Sequence, residues 1–288
     1  MISIIISSYQ DEYFKNLEEN ITSTIGMPFE IIKIENKGQM GICKAYNKGA
    51  SQSQYPYLLF LHEDIVFHTK NWGELLCKHL EYGNTGVIGV AGGNYIPIAP
   101  SSWNTFPENN FLNIIQNDKN KNQPLHVNSL TENRTRVYSV DGVFLATKKE
   151  IYLASPFNED VEGFHSYDLD FSLRIAKNYQ NFVIGDILIE HFSHGLPDRK
   201  WFENNLSIRK KLGHNFHKER NPKLEEQAFI GFLALLFKYH GINLKSFFTS
   251  LQFLPLKKTN FQGYIQILKY YYYILRYKKS YTKKFNTN

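Results

Sequence analysis

Two carboxylates and an imidazole stand together in LLFLHEDIVF, where His62, Glu63 and Asp64 interrupt an otherwise apolar run from Leu58 to Phe67. An unpaired buried carboxylate is costly, so a strand that meets these groups either ends at the surface or hands them to a partner. A second set lies far along the chain, with Asp168 and Asp170 in YDLDFSLR and His191 and His194 in EHFSHG. Such side chains accept protons or hold cations. Two residues on a helix that are two apart point about 200° from each other, so Asp168 and Asp170 do not face one cleft together. Asp170 has Arg174 four positions later, acid first, the favourable order for a surface pair. Asp168 has no such local partner. Taken singly, each group has an ordinary explanation: HED as a solvated strand end, the two aspartates as first-turn acids favoured by the helix dipole, the histidines as polar loop residues.

The elements that would carry these groups are legible from their periods. ISIIIS reads as a strand, and Phe14, Leu17, Ile21 and Ile25 mark a helix that Gly26 stops. FEIIKI, a helix around Ile42 to Ala50, YLLFL, a helix carrying Trp72, Leu75, Leu76, His79 and Leu80, and a strand over GVIGVAGG follow in turn. Strands separated by single helices imply crossover units, hence an α/β fold with a mainly parallel sheet. Ligands of such sheets bind beyond the carboxyl ends of the strands, which is where HED follows YLLFL. From Asn94 to Arg136 the periodicity is lost, and a connection that long reads as a functional loop or a disordered one. RVYSVDGVFLATKKE returns to strand alternation, FHSYDLDFSLRIAKNY and DRKWFENNLSIRKKLG read as helices, and FVIGDILIEHFSHG as a strand entering a loop.

Composition bounds the possibilities. The 288 residues, 42% hydrophobic and 15% aromatic, suffice for one large core or one core with an appendage. Cys43 and Cys77 support neither a disulfide framework nor a four-cysteine zinc site, which fits a reducing, cytoplasmic setting. MISIIISSYQ lacks the basic lead and the length of a signal peptide, and the sequons at Asn20, Asn133 and Asn205 carry little weight in an Asn-rich chain. The longest apolar run, AFIGFLALLF, ends at Lys238, short of the ~20 residues a membrane span requires. From Glu225 onward ten basic residues face two acidic ones, a charge of +8 in a chain of +6, so the preceding part carries −2. That division sets a domain over residues 1–222 apart from a basic, aromatic, helical extension over residues 223–288. Nucleic acid is not an expected partner. For the tail two courses are open: peripheral attachment to an anionic membrane surface, or packing on the domain or on a second copy of the chain.

In chain order the strand ending in SSY, then EIIKIEN, GICKAYNKG, LFLHED, VDGVFLATKKE, YDLDFSLR and EHFSHG together resemble glycosyltransferase family 2 and its GT-A fold. The likeness spans residues 1 to 215, and within the family it leans to the subgroup named after a streptomycin-biosynthesis protein. The resemblance implies that Ser7, Ser8 and Tyr9 pack the nucleotide base, that Glu35 and Asn36 close its pocket, and that Asn47 and Gly49 line the nucleotide from the next helix. HED stands at the Asp-x-Asp motif, through which a divalent metal, Mn2+ or Mg2+, bridges protein and donor diphosphate. Asp64 matches the last acid and direct ligand, Glu63 the middle position, and His62 the place of the first Asp, where an imidazole bonds a sugar hydroxyl without adding charge. His191 matches the late histidine that completes the metal pair, with His194 in reserve; such a site prefers oxygen ligands, with imidazole acceptable to manganese. Asp168 matches the catalytic base, and Asp141 with Gly142 a segment near the donor and acceptor sugars.

The implied activity is metal-dependent, inverting transfer of a sugar from a UDP-, GDP- or dTDP-linked donor to a hydroxyl of a glycan or lipid-linked acceptor. A nucleotidylyltransferase would call for a glycine-rich basic turn after the first strand, which SSYQDEYF lacks. A non-catalytic nucleotide-sugar binder of the same fold is the other alternative.

Overall fold

The computed structural model describes residues 1–117, 123–192, 197–256 and 258–277. Three strands open the chain: β1 (Ile2–Ser8), β2 (Phe29–Glu35) and β3 (Tyr57–Leu61). β1 carries Ile2, Ile4, Ile5 and Ile6 and β3 reads YLLFL, both buried along nearly their whole length as strands covered on both faces are, and all three pair in parallel with Ile2 opposite both Phe29 and Tyr57. The crossovers are α1 (Asp11–Thr24) and α2 (Ile42–Gln52). α1 buries Leu17 and Ile21 against one face of the sheet, and Tyr46 and Ala50 of α2 cover the other. Gly49 lets α2 approach β1 closely, because a Cβ there would stand 2.3 Å from Ile5 Cγ2.

Beyond β3 the chain builds two sheets at once. β4 (Ile65–Phe67), α3 (Trp72–Glu81), β5 (Thr85–Gly89) and β6 (Ala91–Gly93) follow, so the run GVIGVAGG, expected as one strand, breaks at Val90 and serves both sheets. The stretch from Asn94 to Arg136, expected as an irregular loop, contains β7 (Asn110–Gln116), β8 (Leu125–Asn128) and the start of β9 (Arg134–Val137). Its strand pattern is hidden because a polar residue lies inside: Asn113 is buried and its amide donates to Gly185 O at 2.8 Å.

β10 (Ser139–Val140), β11 (Phe144–Lys148), α4 (Lys149–Ala154), α5 (Tyr167–Ile175), β12 (Gln180–Ile184) and β13 (Ile189–His191) complete the domain. The larger sheet runs β2-β1-β3-β11-β5-β12-β9, parallel through its first three strands, with β11 antiparallel to both neighbours. The smaller runs β10-β6-β7-β13-β4, with β8 beside β7. Two registers matter most. Phe144 pairs with Leu61, which brings the turn before β11 beside His62. His191 pairs with Ile65, which brings the end of β13 beside Asp64.

Four helices finish the described chain: α6 (Arg199–Leu212), α7 (Pro222–His240), α8 (Leu244–Leu251) and α9 (Phe261–Arg276). Phe229, Phe232, Leu233 and Leu236 of α7 share a core with Phe202 and Leu206 of α6 and with Tyr95, Ala99 and Phe106. Glu225 is wholly buried there, accepting from the Tyr95 hydroxyl at 2.8 Å, from Ile98 N at 2.9 Å and from Arg220 Nη1 at 2.6 Å. The tail therefore packs on the domain through α7, while α8 and α9 leave Phe248, Leu268, Tyr272 and Leu275 more than half exposed. Lys257, Lys278, Lys279, Lys283 and Lys284 lie outside the described residues. No described helix is long and apolar enough to cross a membrane.

Candidate active site

The three groups of HED go separate ways at the end of β3. Glu63 turns inward, 4% exposed, and its Oε1 accepts the N–H groups of Tyr9 and Gln10 at 3.1 Å each, tying down the turn between β1 and α1. Its Oε2 has no hydrogen-bond partner among the described residues. Asp64 turns toward β13: its Oδ1 is 3.6 Å from His191 Nε2 and 3.9 Å from His62 Nδ1. One ligand atom from each of His62, Asp64 and His191 lies within 4.8 Å of the others. Metal–ligand bonds of about 2.0–2.2 Å place neighbouring ligand atoms roughly 3–4 Å apart, so this set of one oxygen and two nitrogens fits a divalent ion. The partner for Asp64, just beyond β3, is thus a late histidine. Burial, reinforced by the neighbouring His191, lowers the pKa of His62 despite the opposing pull of Asp64, and a neutral ring is the ligating form.

Asp168 stands at the first turn of α5, anchored to the turn before β11. Its Oδ2 accepts Gly142 N at 3.1 Å and its Oδ1 accepts Leu169 N at 2.9 Å. Gly142 is needed for this docking, since a Cβ there would lie 2.1 Å from the Tyr167 hydroxyl. Ser166, just ahead of Tyr167, holds the left-handed conformation at φ 68°, a strained geometry for a residue with a side chain. Burial, then the nearby Asp141 carboxylate, pushes the Asp168 pKa up to about 7 against the lowering effect of its backbone donors. A carboxylate poised near neutrality suits a general base. Asp141 itself accepts from Trp103 Nε1 at 2.9 Å and from Val143 N at 2.8 Å.

Asp170 departs from expectation. It pairs with Arg174, Nε to Oδ2 at 2.8 Å, but the pair is not at the surface: Asp170 is 3% exposed, and Arg174 also donates to Pro156 O. The helix packs that side against the segment after α4, which sequence spacing does not reveal.

Two cavities meet at the metal-ligand cluster. The larger, about 700 Å³, is bounded by Ser7, Tyr9, Asn36, Ile42, Tyr46 and Asp64 among others. The smaller, about 260 Å³, holds Asp141, Gly142 and Asp168 under Trp103 and Trp201. His62, Tyr167 and His191 wall both. Four expected nucleotide residues, Ser8, Glu35, Asn47 and Gly49, line neither cavity. Glu35 is exposed and paired with Lys33 at 2.6 Å. Asn47 is turned to Tyr152, Phe157 and Glu159, and Gly49 packs on β1. The physical reason is the helical period, which points Ile42 and Tyr46 of α2 at the cleft and Asn47 away from it. Ser8 is buried, and the amide of Asn36 is engaged by Ser7 Oγ and by the backbone of Met40, so Asn36 shapes the loop that rims the cleft. His194 lies outside the described residues. Lys37 and Gly38, which line the larger cavity, are signalled only by their position after a parallel strand. Trp103, Trp201 and Tyr167 carry no signal of their own.

A model described as a glycosyltransferase-like family matches residues 3–225. No curated protein sequence matches the chain. Solved structures share its fold at low identity. The crystal structure of S. aureus TarS 1–349 aligns with TM-score 0.52 and 13% identity, covering 88% of this chain and 81% of that one. Its complex with UDP-GlcNAc aligns at 0.53 and 12%, covering 99% and 88%. GalNAc-T7 with UDP, GalNAc and Mn2+ aligns at 0.52 and 9%, covering 94% and 56%. The architecture is that of GT-A glycosyltransferases, as the sequence resemblance implied.

Proposed function

We propose, from the premise that this chain belongs to the glycosyltransferase-like family, that it is a metal-dependent, inverting glycosyltransferase using a nucleotide-diphosphate sugar. The observation that carries this reading is the junction of the two cavities: a carboxylate–imidazole cluster on one side and a carboxylate held near neutral pKa on the other. The larger cavity suits the nucleotide, with Tyr9 and the Lys37–Gly38 rim about the base. His62, Asp64 and His191 would hold Mn2+ or Mg2+, which when bound offsets charge on the leaving diphosphate. UDP-sugars are the first donors to test, since both TarS and GalNAc-T7 were solved with UDP. Asp168, facing the smaller cavity, takes the proton of the acceptor hydroxyl as the new bond forms on the face opposite the departing diphosphate. One base and no protein nucleophile suffice for inversion, and alignment across the shared wall lowers the barrier.

A glycan acceptor is supported by the smaller cavity, where the indoles of Trp103 and Trp201 flank a polar floor, an arrangement that receives the apolar face of a pyranose and bonds its hydroxyls. Residues 1–222 form the catalytic unit and 223–288 the extension. The exposed aromatic and basic face of α8 and α9 supports peripheral docking to an anionic membrane, on the cytoplasmic side, with a lipid-linked acceptor within reach. We place the chain in the subgroup suggested by the HED, YDLDFSL and EHFS segments. A non-catalytic binder would bind the donor but turn it over no faster in wild type than in Asp168→Asn.

The deciding experiment is thermal shift and turnover with UDP-sugars, with Mn2+ or with chelator. The reading expects donor binding with Mn2+ that chelation and Asp64→Ala each abolish. Metal-independent binding of full strength in both would overturn it.

A further inference from the structure

Each of the two histidines of the cluster has its outer nitrogen engaged in a way that fixes which nitrogen carries the proton. His62 Nε2 lies 2.9 Å from the Tyr167 hydroxyl, and that hydroxyl lies 3.1 Å from Gly142 O, where it is the donor. A hydroxyl has a single proton. If it pointed at His62, the Gly142 carbonyl and the phenol oxygen would face each other lone pair to lone pair in a site where Tyr167 is 4% exposed. Both contacts are satisfied only when His62 Nε2–H donates to the hydroxyl and the hydroxyl donates to Gly142 O. That leaves His62 Nδ1 unprotonated, on the side of Asp64.

At His191 the same logic runs through an amide. Gln116 Nε2 donates to His191 O at 3.1 Å, with Asn117 O at 3.4 Å, so the amide nitrogen is fixed by backbone carbonyls. Its Oε1 then faces His191 Nδ1 at 3.3 Å and accepts from it. His191 Nε2 is the unprotonated nitrogen, 3.6 Å from Asp64 Oδ1. The parallel pairing of β13 with β7, His191 opposite Gln116, sets this contact by register.

We propose that Tyr167 and Gln116 are positioning residues that lock His62 and His191 in opposite tautomers, so that two unprotonated imidazole nitrogens and one carboxylate converge on a single ion. The proposal rests on the metal reading given above. A ligating histidine is routinely oriented through its other nitrogen, and loss of such a partner costs 10–100-fold in metal affinity. Gln116 adds a second function: it ties the end of β7 to the end of β13.

The test uses the full chain. Long-range 1H–15N correlation spectra of the metal-free protein should show His62 protonated at Nε2 and His191 at Nδ1. Titration of Mn2+, followed by its EPR signal or by calorimetry, should give a Kd 10–100-fold weaker in Tyr167→Phe and in Gln116→Leu than in wild type. Gln116→Glu keeps an acceptor for Nδ1–H but loses the donor to the His191 and Asn117 carbonyls, so its Kd should lie closer to wild type than that of Gln116→Leu, an outcome that loss of packing does not produce. Gln116 is only half-buried, so its variants keep the question open to measurement even if Tyr167→Phe fails to fold. Either ring protonated at its other nitrogen, or an unchanged Kd in the variants, would overturn the lock and leave the metal reading standing. A wild type with the expected tautomers that binds no Mn2+, with or without UDP, would instead overturn the metal reading.

Discussion

The indole Nε1–H of Trp103 donates to Oδ2 of Asp141 at 2.9 Å, so the wall of the smaller cavity and the carboxylate that raises the Asp168 pKa are one unit. Asp141→Asn removes that neighbouring charge while keeping an oxygen for Trp103 or Val143. Burial, the larger cause, remains. The pH at which turnover rises should therefore move down from near 7 yet stay above the ordinary carboxylate value of about 3.9. A pH–rate profile checks this, and a limb that stays put or moves up would count against the coupling.

Asp168→Asn keeps size and hydrogen bonding but loses the basic oxygen. Turnover should fall by about 10²–10⁴ with donor and metal binding nearly intact. In wild type the basic form accumulates as pH rises through about 7, so activity rises with it. Stability runs the other way. The folded state holds this proton more tightly than the unfolded chain, so the stabilisation is complete below about pH 4 and is lost as pH rises through about 7. Chemical denaturation across that window should show a smaller decline in Asp168→Asn than in wild type.

Asp170→Asn should leave the proton-transfer limb in place and cost stability instead. Breaking a buried pair by removing one partner costs about 3–5 kcal/mol, far above the few tenths for an exposed helical pair. The substituted amide retains an acceptor for Arg174, which also keeps Pro156 O, so the loss should fall toward the lower end. A denaturant midpoint within error of wild type would show that the pair contributes little.

Vesicles test the tail. Phe248, Leu268, Tyr272 and Leu275 on the outer face of α8 and α9 should give co-sedimentation with anionic vesicles that weakens as salt rises, since each basic residue near such a surface adds ~1 kcal/mol. Leu268→Glu with Tyr272→Glu should abolish it without altering turnover of a soluble acceptor. Binding at neither salt concentration, with dimers in solution, would assign the face to a second copy.

Part of the fold is legible in the sequence alone. The strands ISIIIS and YLLFL announce themselves because burial on both faces demands apolar runs, FEIIKI shows as a half-buried edge strand, and the ligand end of a parallel sheet then locates His62 and Asp64. His191 follows from its order in the chain. What stays hidden depends on registers between distant strands. Gln116 reaches His191 only because β7 pairs with β13, and Tyr167 reaches His62 only because Gly142 lacks a side chain. Asn47 and Tyr46 are adjacent in sequence, and only the placement of α2 on β1 decides which one sees the cleft. The burial of Asp170 is invisible because acid-first spacing looks the same inside a protein and outside it.

Glu225 of α7, gripping the Tyr95 hydroxyl and the Ile98 amide, fastens the first helix of the tail to the domain. If the exposed face of α8 and α9 rests on a bilayer, the domain fastened through α7 is held at that surface with it. An acceptor hydroxyl carried on a lipid and the carboxylate of Asp168 would then share one surface, and the search of one for the other would run in two dimensions instead of three.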